Sequence, residues 1–181
     1  GDDRLPALPN TGGYDSYTVN LYKNENNGAN PPTSATDTSW LRWRARKLNG
    51  FVKRLRSEVK TIKPSVLFTI SPSPHPFGYN EYLQDWPTWL KGGYADLIIP
   101  QLYRYNIEAY TTILKQLRNQ VPDSLLEKIV PGILTSLGDG YQADTVLMQK
   151  MVQLNRSLGF KGEVFFYFET VNRIPFSLYK D

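Results

Sequence analysis

Ala95-Asp96-Leu97-Ile98-Ile99 decides the fold once it is set beside three runs of the same character: Val66-Leu67-Phe68-Thr69-Ile70, Lys128-Ile129-Val130-Pro131-Gly132-Ile133-Leu134 and Glu163-Val164-Phe165-Phe166-Tyr167-Phe168. Each is almost continuously apolar rather than alternating, the pattern of strands buried on both faces in a parallel sheet. The strand starts at Val66, Asp96, Ile129 and Gly162 lie 30, 33 and 33 residues apart. That spacing fits one strand–loop–helix–loop unit per repeat. Between the runs, residues 80–91, 107–120 and 143–158 are helical candidates, with Pro87 expected to kink the first and Gly92-Gly93 and Gly159 expected to stop helices. The fold class predicted is α/β, built of parallel β/α units. Periodicity alone leaves open whether the units form an open doubly wound sheet or part of a barrel.

Upstream of the first run, Asp37 or Thr38 can cap a helix reaching about Lys63, where Pro64 stops it. Leu48, Phe51, Val52, Leu55, Val59 and Ile62 recur at three- and four-residue steps and make one apolar stripe. Its other positions carry Arg42, Arg44, Arg46, Lys47, Lys53, Arg54, Arg56, Lys60 and Lys63, which read as a solvated outer face rather than a nucleic-acid surface, since no nucleic-acid motif accompanies them. Residues 1–36 are rich in Asn, Gly, Pro and Asp with no sustained apolar period, and read as a long functional loop that Tyr14, Tyr17, Val19, Leu21 and Tyr22 can pack.

Composition narrows the chemistry. With 181 residues, 40% hydrophobic and 21% charged, the chain supports one domain with a core of its own. No apolar run approaches a membrane span and no secretory leader pattern opens the sequence. Zero cysteines exclude disulfides and thiolate metal sites, and a single histidine, His75, argues against a His-based metal site or a serine–histidine triad. No glycine-rich phosphate cradle follows the first strand, so no nucleotide cofactor is expected, and Gly138-Asp139-Gly140 is too short and too late to supply one. No ligand spacing for a structural cation is present, although Asp139 is the type of loop carboxylate that binds calcium elsewhere.

In parallel α/β folds, function gathers beyond the carboxyl ends of the strands. There the sequence carries Ser71-Pro72-Ser73-Pro74-His75, Gln101-Leu102-Tyr103-Arg104, Thr135-Ser136-Leu137-Gly138-Asp139 and Glu169-Thr170. Amides, hydroxyls, a phenol and a guanidinium suit sugar hydroxyls, and Tyr14, Trp86, Tyr103 and Tyr105 are candidates to stack on pyranose faces. Ser71, Gln101, Tyr103, Arg104, Thr135 and Tyr14 are the candidate substrate-binding residues. Glu169 ends an apolar strand, where partial desolvation would raise its pKa as a general acid requires. The alternative is a rim carboxylate paired with Arg104 or Arg173. Asp2 and Asp3 supply two further acids, and paired carboxylates across a cleft are the usual means of splitting a glycosidic bond. His75 reads as a structural loop residue among Pro72, Pro74 and Pro76, Asp15 as a loop organiser, and Trp40 and Trp43 as packing residues.

Ordered motifs carry a resemblance. Gly1-Asp2-Asp3-Arg4-Leu5-Pro6, Gly13-Tyr14-Asp15-Ser16-Tyr17-Thr18, Trp40-Leu41-Arg42-Trp43-Arg44, Ile70-Ser71-Pro72-Ser73-Pro74, Leu83-Gln84-Asp85-Trp86, Ile99-Pro100-Gln101-Leu102-Tyr103-Arg104, Gly132-Ile133-Leu134-Thr135 and Phe165-Phe166-Tyr167-Phe168-Glu169 resemble glycosyl hydrolase-like family ten, in the form found in cyanobacteria. The resemblance implies strands five to eight of a (β/α)₈ barrel, preceded by helix four and by the strand-four loop over residues 1–37. It implies glycosidic-bond hydrolysis, with peptidoglycan glycan strands as one substrate, and an extracytoplasmic location. Asp2 and Asp3 take the strand-four acidic position, Glu169 lines the same cleft, and neither cofactor nor metal is implied. Half a barrel would expose two sheet edges, so self-association of the isolated chain is expected. A non-catalytic carbohydrate-binding or scaffold domain is the competing class.

Overall fold

The structure, a computed structural model, describes residues 6–137 and 140–167. Asp2, Asp3, Asp139, Glu169 and Arg173 lie outside the described residues. The order of elements is α1 (Ser16–Glu25), α2 (Thr38–Ile62), β1 (Thr69–Ile70), α3 (Phe77–Tyr82), α4 (Trp86–Lys91), β2 (Leu97–Ile98), α5 (Ile107–Gln120), a 3₁₀ turn (Asp123–Lys128), β3 (Gly132–Leu134), α6 (Thr145–Ser157) and β4 (Val164–Phe166). This is an α/β chain.

All the strand pairing between units is parallel. Thr69 and Ile70 pair with Leu97 and Ile98, while Gly132, Ile133 and Leu134 pair with Val164, Phe165 and Phe166. The two ladders are joined where Ile98 meets Ile129 and Gln101 meets Gly132, so β1 to β4 stand side by side in chain order. Gly132 suits the close approach at that junction, because a β-carbon there would lie 3.0 Å from the Pro100 carbonyl oxygen and 3.4 Å from the Tyr103 ring, a tight fit. The middle of the row is the best buried. Ile98, Ile129 and Ile133 are enclosed by Tyr110, Leu114 and Leu117 of α5, Met151 and Val152 of α6, and Trp89 and Leu90 of α4. The outer strands are not covered on both faces as predicted, since Thr69 and Val164 are exposed.

Helix α2 begins where capping chemistry places it. The Asp37 carboxylate accepts from the Ser39 and Trp40 amides at 2.9 and 3.1 Å. Its predicted stripe is only half used, with Leu48 and Val52 buried but Phe51 48% and Ile62 86% exposed. Arg42, Arg46, Lys53 and Arg54 are solvated as expected. Arg44 is the correction, buried beneath the loop that precedes the helix. That loop also departs from expectation, because it contains α1. Asp15 caps α1 by accepting from the Thr18 amide at 3.0 Å, and Tyr22 packs edge-on against Trp40 and Trp43 at 5.2 Å each. Residues 80–91 are two short helices rather than one kinked helix. Leu83 adopts a left-handed conformation (φ 57°) between them, and Pro87 sits in the first turn of α4, where its missing N–H costs nothing.

Candidate functional site

At the carboxyl tips of the strands the chain locks neighbouring loops together through backbone-directed side chains. Ser71 donates its hydroxyl to the Ile99 carbonyl at 3.0 Å, and Gln101 donates its amide to the Ser71 carbonyl at 3.0 Å. The Gln101 backbone N–H reaches the Pro72 carbonyl, also at 3.0 Å. On the far side, the Thr135 N–H donates to the Phe166 carbonyl at 2.8 Å and its hydroxyl donates to the same oxygen. Tyr103 spans the two halves, its ring 5.2 Å from that of Phe166. Ser71, Gln101, Tyr103 and Thr135 therefore form one continuous row, with Arg104 beside it donating to the Tyr103 carbonyl at 2.7 Å. Tyr14 stands apart from this row. It packs 5.5 Å from Trp40 and donates to the Pro32 carbonyl at 3.0 Å.

A cleft of about 620 Å³ opens beside the β1 and β2 tips. Gln101 and Arg104 line it together with Ser73, His75, Phe77, Asn80, Tyr82 and Gln116. Its size and its mixture of hydrocarbon with a few polar groups suit a small-molecule or saccharide site. A second opening of about 590 Å³, between α2 and β1, is lined by Leu8, Leu48, Phe51, Leu55, Phe68 and Ile70, with Lys47 its one charged group. Apart from Lys47 and Thr69, its lining side chains are hydrocarbon. The strand-tip cleft is therefore the candidate site.

The cleft is shaped by the proline-rich loop after β1. The Ser73 N–H donates to Gln84 Oε1 at 2.9 Å, and Gln84, fully buried, also donates to the Pro6 carbonyl at 3.3 Å. His75 sits 5.9 Å from the ring of Tyr79 and 6.2 Å from that of Trp86, and its carbonyl accepts from Gln120 at 3.0 Å. Burial pushes its pKa below the ordinary histidine value, against a smaller upward pull from Asp85, which favours the uncharged imidazole. His75 is a half-buried loop residue that also lines the cleft. Trp86, proposed above as a stacking residue, is fully buried in the core and presents no face to a ligand. Trp40 and Trp43 are likewise core residues, stacked at 5.2 Å.

Within the cleft, the exposed aromatic surface is Phe77. It is 55% exposed and meets Tyr82 edge-on at 5.8 Å. Neither residue was singled out from sequence. The available signal was an aromatic side chain placed directly after the rigid Pro72–Pro76 segment. Among the described residues, the cleft lining contains no carboxylate, and no group of three His, Cys, Asp or Glu side chains is placed to hold a metal ion. No described helix is long and apolar enough to cross a membrane.

The parallel row with a polar cleft at its carboxyl tips is the arrangement of an α/β protein that meets its ligand beyond the strand ends. The chain belongs to glycosyl hydrolase-like family 10, which matches residues 2–152. It is 24% identical to glycosyl hydrolase YngK of Bacillus subtilis (strain 168), over 75% of this chain and 31% of that protein. In fold it is similar to the PgaB (BpsB) glycoside hydrolase domain from Bordetella bronchiseptica, with a TM-score of 0.72 at 19% identity, covering 94% of this chain and 52% of that one. The chain thus spans about a third of the first relative and about half of the second.

Proposed function

We propose that this chain is the carboxyl-terminal half of a (β/α)₈ barrel glycoside hydrolase that holds a glycan across its strand tips. The observation that carries the proposal is the strand-tip cleft lined by Phe77, Gln101 and Arg104, in a chain of this family. In the mechanism, Glu169 gives a proton to the leaving glycosidic oxygen as the C–O bond breaks. Asp2 or Asp3 attacks the anomeric carbon or activates the water that does. A carboxyl separation of roughly 5–5.5 Å corresponds to retention and roughly 6.5–9.5 Å to inversion. Peptidoglycan glycan strands in an extracytoplasmic compartment are the proposed substrate and setting.

The test is Glu169→Gln in the intact polypeptide. Glycan cleavage, followed by reducing-end release, should fall by about 10²-fold or more. Undiminished cleavage removes Glu169 from the mechanism. If Asp2→Asn with Asp3→Asn also leaves activity intact, the acid-pair proposal fails. A non-catalytic carbohydrate-binding domain would instead bind glycan and cleave none in the wild-type polypeptide.

The half-barrel reading draws support from the apolar groove between α2 and β1. Phe51, Leu55 and the exposed edge of β1 lie where a preceding strand would pack. In the isolated chain, a second copy should cover this surface and pair the open edge. Light scattering at high concentration is therefore expected to give a mass above that of the 20.8 kDa monomer. A clean monomer would count against the open edges.

A further inference from the structure

Helix α2 carries Lys53, Arg56, Ser57 and Lys60 at steps of three and four residues, so they share one face. That face meets the Gly92-Gly93-Tyr94 turn between α4 and β2, and together with Thr61 they line a recess of about 410 Å³. The turn precedes β2, which puts the recess at the other end of that strand from the cleft of Gln101 and Arg104. Its walls are fixed. Asp96 holds Arg56 and Lys60 at 2.6 Å each, and Lys60 also donates to the Val66 carbonyl at 2.6 Å. The Tyr94 ring lies against Gly92, where a β-carbon would fall 2.5 Å from it.

The recess is electropositive. Its lining contains no carboxylate, and Asp96 offsets only one of the three cations Lys53, Arg56 and Lys60. Lys53 is exposed, lies 5.8 Å over the Tyr94 ring and has no carboxylate partner among the described residues. The Arg56 Nε–H is enclosed and meets no acceptor, so the guanidinium keeps unmet donor capacity beside the opening. A solvated basic face spreads its charges on mobile stems, whereas here two are fixed by Asp96 and a third reaches over the same opening. Ammonium, guanidinium and hydroxyl donors together complement the oxygens of a phosphate. We propose that this recess binds a phosphate group, with Lys53 and Ser57 donating to its oxygens and Arg56 supplying the fixed charge. The volume leaves room for a substituent, so free phosphate and the phosphate of a lipid headgroup share this chemistry. The site is remote from the strand-tip cleft, and the inference does not depend on the glycan reading of that cleft.

The experiment is calorimetric titration of the intact polypeptide with inorganic phosphate at pH 7, phosphate replacing chloride at constant ionic strength. One saturable site per chain is expected. Lys53→Ala should weaken it by about fivefold, and Lys53→Arg should retain it. Lys53 is exposed, so the alanine variant should keep the wild-type circular dichroism. Arg42→Ala removes the same charge from α2 outside the recess and should leave the affinity unchanged. Sedimentation with phosphatidylglycerol vesicles separates the two sources. Retention that phosphate competes away and Lys53→Ala reduces assigns the headgroup; no retention, or retention indifferent to Lys53→Ala, assigns soluble phosphate. The proposal is overturned if no saturable heat appears up to about 10 mM phosphate. Equal losses in Lys53→Ala and Arg42→Ala overturn it too, since they would reveal diffuse charge rather than a site.

Discussion

Arg44→Met should lower the unfolding free energy by about 3–4 kcal/mol, an unusually large effect for replacing a charged residue. The guanidinium is 4% exposed and has no carboxylate partner among the described residues. It donates instead to the carbonyls of Asn10, Gly12 and Ala35, the latter two at 2.7 Å each, and lies 4.6 Å over the Trp40 ring. Burial pulls its pKa below the ordinary arginine value, with Tyr14 acting weakly in the other direction, yet an arginine remains charged at neutral pH. One side chain thereby fastens both ends of the segment containing α1 to helix α2. Methionine keeps the stem over Trp40 but leaves three carbonyls without their donor. Lysine should rescue poorly, because a single ammonium lacks the planar fork that spans them. Urea denaturation measures the loss, and limited proteolysis should show new cleavage between residues 10 and 35. A variant within about 1 kcal/mol of wild type would refute the account.

Asp96→Asn should cost about 2–3 kcal/mol at pH 7 and flatten the acid side of the stability profile. Asp96 begins the β2 unit and gathers three donors: Lys60 at 2.6 Å, Arg56 at 2.6 Å and the Phe68 amide at 2.8 Å. Partial burial alone would raise its pKa, but the Lys60 ammonium, the Phe68 N–H and Arg56 outweigh it and hold the carboxyl well below the usual carboxylate range. The sign follows from linkage. A carboxyl with a depressed folded pKa adds stability that is fully present above its unfolded value near 3.9, and that stability is lost as pH falls toward the folded value. Wild-type stability should therefore drop below about pH 4, and the Asn variant should show a shallower decline over the same window. Parallel acid slopes for the two proteins would remove Asp96 from the acid sensitivity.

The parallel repeats and the long helix were legible because they rest on one-dimensional signals. Near-continuous apolar runs gave the strand positions, and Asp37 with Pro64 bracketed α2 to within a residue. Helix α1 was hidden because its segment has little apolar periodicity, and it is held by the Asp15 cap and by Tyr22 on Trp40 and Trp43. Arg44 was read as solvated because sequence shows charge but not the carbonyl-rich loop folded over it. Of the residues named by their position after strands, Gln101 and Arg104 line the cleft, while Ser71, Tyr103 and Thr135 bind neighbouring loops beside it. Trp86 was misjudged, since a ring beyond a strand end can point into the core as readily as out of it. Phe77 was overlooked because its exposure depends on the short helix α3, which no periodicity announced.

The row of strands in chain order, each delivering its loop to the same face, has a consequence for how such a molecule diversifies. The interior is secured by Ile98, Ile129, Ile133 and the helices outside them, while each loop is anchored mainly to its immediate neighbours. A lineage can therefore exchange one loop, and with it one contact to the ligand, without renegotiating the scaffold. Change in what is recognised becomes modular, and inheritance of the frame becomes conservative.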